Sequence, residues 1–171
     1  MMTRPLLLAV LLSFGGSIVF AQTPPPAPAP APPRANGPAL TPSLKAAEAA
    51  VTACAAKGYK VTALITDSAG DPVVLLSGDG AALRTQGIAR TKVATVLKYK
   101  VASGEIAARV KTDPKLADEI KADPAIGMAR QGAVPILSGS EILGVFAVSG
   151  APGGEKDEAC IKVALDLVPL S

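Results

Sequence analysis

"VFAVSGAPGGEKDEAC" (residues 145–160) holds the passage that decides the fold. Its apolar, β-branched opening stops at Ser149. Gly150, Ala151, Pro152, Gly153 and Gly154 follow, and then a charged segment begins. A strand over residues 142–148 therefore hands over to a helix over 155–168, with Cys160, Val163, Ala164 and Leu167 on one apolar stripe. The break between them has two readings. Backbone amides ahead of a helix attract carboxylate or phosphate, yet Asp157 and Glu158 in the first turn compete for that positive end, and Asp157 has the chemistry of a cap. Taken alone, the stretch is a turn; it becomes a binding loop only through its neighbours.

Working outward, residues 133–137 form another β-rich run, joined to 142–148 by Ser138-Gly139-Ser140-Glu141. A second pair, 61–66 and 73–76, is joined by Asp67-Ser68-Ala69-Gly70-Asp71-Pro72. Both connections have turn chemistry, so both pairs read as hairpins. A first helix opens at Thr41-Pro42, carries Leu44, Ala47, Val51 and Cys54 on one face, and stops at Gly58. A long helix covers about residues 82–102, with Ala89, Val93, Val96, Leu97 and Val101 inward and Arg84, Arg90, Lys92 and Lys98 around the rest. One or two short helices follow, over "EIAARV" (105–110) and "KLADEIKA" (115–122), each ended by an Asp-Pro step. Antiparallel strand pairs with helices segregated around them make an α+β layered domain.

Ahead of this domain, Arg4 precedes an apolar stretch, and Ala21 offers a small-residue exit. Residues 1–21 read as a signal peptide, with an uncleaved membrane anchor as the alternative, so the mature protein is expected to be periplasmic or secreted. Residues 22–39 form a Pro/Ala-rich linker with the character of an extended spacer. Residues 40–171 are then one domain with one core. Cys54 and Cys160 are the only cysteines of the chain. In an exported protein they suggest one disulfide between packed helices; two separate buried thiols are the alternative.

Several function classes drop out. Removing Arg4 lowers the 17 basic residues to 16 against 14 acidic ones, a net charge of +2. Beyond the leader only Tyr59, Tyr99 and Phe146 are aromatic, which leaves little for nucleic acid to stack on. No stable membrane insertion is expected once the leader is removed. The chain has no histidine, which removes the commonest metal ligand and general base. No phosphate-loop or dinucleotide signature is present.

"DSAGDPVVLL" (67–76), "IARTKVATVL" (88–97), "QGAVPI" (131–136), "ILGVFAVSG" (142–150) and "KDEAC" (156–160) occur in that order. Together they resemble the GlcG/HbpS-like haem-binding family, which includes the C-terminal domain of PduO-type proteins. The resemblance implies a profilin-like three-layer α/β/α domain with a five-stranded antiparallel sheet. It also implies homo-oligomers and, in some members, binding of haem or a corrinoid. Position by position, Asp67 and Gly70 match the first hairpin turn and Lys92 the lysine of the long helix. Gly132 and Pro135 match a Gly-Gly-Val-Pro strand entry, and Ser149, Gly150 and Asp157 the Val-Ser-Gly loop and the helix after it. Ser77 stands where an Arg is frequent, Ala133 replaces a glycine, and Val93 replaces an alanine. A histidine iron ligand is impossible, so Tyr59, Tyr99, Met128, a lysine or a reduced cysteine would have to ligate iron, or contact would run through the propionates.

The expected function is an exported, non-catalytic, homo-oligomeric protein that binds haem, a related tetrapyrrole or another anionic small molecule. The expected ligand-binding residues are Lys92, Gly132, Pro135, Ser149, Gly150, Asp157 and Asp67. The alternatives are an enzyme of haem degradation or small organic-acid metabolism using Lys92 with Asp67 or Asp157, and a tethered scaffold oligomer. Lys92 reads equally well as a solvated helix charge.

Overall fold

The computed structural model describes residues 34–170. Residues 1–21, read above as a signal peptide, and residues 22–33 of the expected linker lie outside the described residues. The elements run α1 (Leu40–Ala55), β1 (Thr62–Asp67), β2 (Pro72–Ser77), α2 (Arg84–Tyr99), α3 (Ser103–Arg109), α4 (Pro114–Ala122), β3 (Ala133–Ser138), β4 (Glu141–Ser149) and α5 (Gly154–Leu167). The strands form one antiparallel sheet in the order β2-β1-β4-β3. Both hairpins are present, and β1 and β4 are brought together at its centre.

Alternation along the strands divides the core. Ala63, Ile65, Phe146 and Val148 face α1 and α5. Leu64, Val145 and Ala147 face α2, where they meet Ala89, Val93 and Val96. Every residue of β1 is buried, as a strand covered on both faces must be. The result is an α/β/α sandwich. A third cluster of Ile106, Leu116, Ile120 and Ile126 fastens α3 and α4 to the side of α2. Asp113 caps α4 by accepting from the Leu116 amide, with Pro114 in the first turn.

Three expectations need correction. The described residues form four strands rather than five. Between the hairpins the chain is helical and then irregular: Asp123 binds the Ala125 and Gly127 amides, and Gly127 at φ +64° keeps this segment from extending. The buried stripe of α1 is Ser43, Ala46, Ala47, Ala50 and Cys54, while Leu44 is exposed and Val51 half-buried. On α5 it is Asp157, Cys160, Ile161 and Ala164, with Val163 and Leu167 exposed. The cause is the close approach of α1 and α5. Cys54 and Cys160 form a fully buried disulfide with a Cα–Cα separation of 5.6 Å, and only small side chains fit beside it. Closing a loop of 106 residues stabilises by roughly 4–5 kcal/mol in the chain-entropy description.

Candidate functional site

Lys92 is not a solvated charge. It lies between Ala89, Val93 and Val96 on the buried side of α2, and its side chain is 2% exposed. The ammonium donates to the Val148 carbonyl at 2.7 Å and to Asp157 Oδ2 at 2.7 Å. Asp157, in the first turn of α5, also accepts from the Ala151 amide through Oδ1 at 2.9 Å. One carboxylate thus ties the glycine-rich bend, the end of β4 and the long helix together. Burial pushes the Lys92 ammonium below its ordinary range, against the pull of Asp157. Burial likewise raises the Asp157 carboxyl, against the pull of Lys92. Each charge is costly to hold away from water, and each is held because the other is there.

The glycines around the pair are spatial requirements. Gly132 has φ +115°, and a Cβ there would come 2.6 Å from Lys92 Nζ and 2.8 Å from the Asp157 Cβ. Gly150 has φ +135°, and its Cβ would meet the Lys60 carbonyl and the Val61 Cα. Any side chain at Gly132 would therefore evict the ammonium or strain the bend.

The pair forms part of the wall of a cleft of about 680 Å³ between the end of the sheet, α2, α3 and the start of α5. Ser149, Gly150, Ala151 and Gly154 line it on the bend side. Lys60, Arg84, Lys111 and Arg130 converge on it from four separate segments, giving five cations with Lys92 against Glu155 and Asp157. Among the described residues, no carboxylate lies within ion-pair distance of Lys60, Arg84, Lys111 or Arg130. The volume is that of a small-molecule site, and the uncompensated charge favours an anion. Sequence reasoning missed these four cations as a group, because each is a lone charge in its own segment.

Of the expected binding residues, Lys92, Gly132, Ser149, Gly150 and Asp157 meet at this cleft or its wall. Asp67 and Pro135 do not. They occupy the opposite end of the sheet, where Thr66 and Pro135 both pair with Val145. Pro135 lines a second cavity of about 790 Å³ with Asn36, Gly37 and Ser68. Asp67 is fully buried and accepts from the Ala69 and Asp71 amides, and Arg34 Nε reaches its Oδ2 at 3.2 Å. Residues 34–39, read as the last part of the linker, run along this end: the Ser68 amide donates to the Asn36 carbonyl, and Pro38 is buried.

Residues 40–166 match the family described as haem degrading protein HbpS-like. The chain belongs to this family. Among solved structures, HbpS shares 27% sequence identity over 80% of this chain and 93% of its own, with a TM-score of 0.68. A double mutant of Streptomyces reticuli HbpS shares 28% over 84% of this chain and 99% of its own, again with a TM-score of 0.68. A complex of PduOC with heme shares the fold at 18% identity, covering 79% of this chain and 97% of its own, with a TM-score of 0.67. No curated protein is a significant sequence match.

The donors around the cleft fit one half of a haem and not the other. Carboxylates suit the cations. Iron finds no soft or imidazole donor: the chain has no histidine, and both cysteines are in the disulfide. Tyr59 packs half-buried against the α1/α5 core, with the Lys156 ammonium 5.8 Å from its ring centroid. Tyr99 donates to Glu119 in a surface cluster with Lys98. Met128 is 57% exposed and does not line the cleft. The three weak metal candidates are therefore scattered, and the described residues contain no cluster suited to a metal ion.

Proposed function

We propose that this protein is an exported, homo-oligomeric binding protein whose cationic cleft takes a carboxylate-bearing small molecule, with haem or a related tetrapyrrole as the guest. The observation that carries the proposal is the convergence of Lys60, Arg84, Lys111 and Arg130, unpaired, above the buried Lys92–Asp157 pair. Membership of an HbpS-like family and a neighbour solved with heme support the choice of guest. The buried disulfide supports export, since such bonds persist in oxidising compartments. Among the described residues no helix is long and apolar enough to cross a membrane.

Lys92 and Asp157 shape the cleft rather than transform a guest: the ammonium and both carboxylate oxygens already have partners. The family's description as haem degrading favours a second reading, turnover of the bound tetrapyrrole. One experiment addresses both. Hemin titrated into the mature protein is expected to bind stoichiometrically, by calorimetry and co-elution on gel filtration. It is expected to retain its absorption over hours in the presence of a reductant. Absence of binding removes the proposal; steady loss of the haem band with an open-chain product replaces it with the enzymatic reading.

A further inference from the structure

Resting on the tetrapyrrole reading of the cleft, we infer that the guest is held by its carboxylates and not by its metal, so that binding is indifferent to whether iron is present. The inference follows from which atoms remain free to act. A protonated lysine has three N–H donors and no lone pair to give a metal. Lys60, Lys92 and Lys111 therefore present hydrogen-bond donors, and Lys92 has already committed two of its three. Both Asp157 oxygens are engaged, one by Lys92 and one by the Ala151 amide. Among the residues lining the cleft this leaves Glu155 as the single carboxylate without an assigned partner, and beside the lining Gly104 the Glu158 carboxylate keeps a buried Oε2 with no hydrogen-bond partner.

The cations tell the opposite story. Arg84, Lys60 and Lys111 are exposed at the cleft and Arg130 is half-buried there, and among the described residues no carboxylate is within ion-pair distance of any of them. Guanidinium groups bind carboxylates through two parallel N–H bonds, which orders an anion as well as attracting it. Arg84 at the start of α2 and Arg130 ahead of β3 belong to distant parts of the chain, so a guest with two carboxylates can be gripped by both. The recognition chemistry on offer is for acidic side arms.

Three guests separate the terms: hemin, zinc protoporphyrin and metal-free protoporphyrin IX, each titrated into the full mature protein. The three dissociation constants are expected to agree within about threefold, since a metal-ligand bond of even 1.4 kcal/mol would already separate them tenfold. The dimethyl ester of protoporphyrin is expected to bind at least tenfold more weakly than the diacid. Arg84→Gln with Lys111→Gln is expected to weaken all three guests by a common factor. Glu155→Gln and Glu158→Gln are each expected to leave the absorption spectrum of bound hemin unchanged and not to weaken its binding, since each only removes a negative charge from an anion site. Tenfold preference for hemin over the metal-free compound, equal binding of the ester, or loss of hemin binding in Glu155→Gln or Glu158→Gln would each overturn the inference while leaving the binding proposal standing. Failure of all the porphyrins to bind removes the binding proposal itself, and this inference with it.

Discussion

The two ends of the sheet hold the same ingredients in different arrangements. Each has a buried aspartate at a glycine-containing bend with a basic side chain against it. At one end Asp67 is served by amides two and four residues away, and its cation, Arg34, is 54% exposed. At the other, Asp157 is joined to a lysine 65 residues away that is itself buried. The first is a turn that the chain makes for itself, with Arg34 laid over it from outside. The second exists only when α2, β4 and α5 have packed. Location, rather than residue type, separates a turn device from the wall of a binding cleft.

The sharpest way to break this contrast is to neutralise one partner of the buried pair. Asp157→Asn leaves the Lys92 charge without its counter-ion and is expected to cost about 3–5 kcal/mol of folding stability. Adding Lys92→Met to that variant is expected to restore most of the loss, because the stranded charge is then gone. Chemical denaturation of the two single variants and the double variant measures both quantities. Additive losses would show that the pair is not coupled.

At the Asp67 end the expected effects are smaller and unequal. Asp67→Ala strips the Ala69 and Asp71 amides of their acceptor, at a cost of about 1–3 kcal/mol. Arg34→Ala is expected to cost less than about 1 kcal/mol, as a half-exposed ion pair is screened by solvent. Equal losses in the two variants would mean that residues 34–39 support the turn, and not the reverse.

These differences track what could be read from the chain. The Asp67 turn was legible because its donors and acceptor lie within "DSAGD". Both hairpins and the three longer helices are legible for the same local reason, while the stretch between α2 and β3 reads only as one or two short helices. Lys92 was placed on the wrong side of α2, although its spacing from Ala89 and Val96 is that of the buried stripe. A charge in that row looks like an error in the pattern until its partner is known, and the partner is far away in sequence. The stripes of α1 and α5 were displaced because the largest apolar residues look like the core. Where two helices are drawn together by a disulfide, alanine and serine fill the contact and leucine is left outside. Arg84, Arg130, Lys60 and Lys111 gave no signal as a set, since only tertiary structure gathers them.

A third charged cluster sets the low end of the scale. Lys98 hydrogen-bonds Glu119 and Asp123 at the surface and holds both carboxyls below their usual range, while their bonds to it raise the lysine. A carboxylate depressed in the folded state adds stability that is present above its unfolded value, near about 4, and is lost as pH falls through its folded value. Lys98→Met is therefore expected to flatten the acid side of the stability profile slightly, and to do nothing at neutral pH that survives about 0.15 M salt. Acid titrations followed by circular dichroism at low and high salt test this. A salt-resistant loss at pH 7 would show that the cluster is more than a surface feature.

The cystine between α1 and α5 has a kinetic consequence. Both sulfur-bearing residues are wholly sealed from solvent, so neither a small reductant nor a thiol-seeking label can reach them while the outer layer stays shut. Cys160 sits one helical turn beyond Asp157, so the moment at which an added reductant first cleaves the bond, read out by labelling the freed thiols, records when the roof over the Lys92 wall came off.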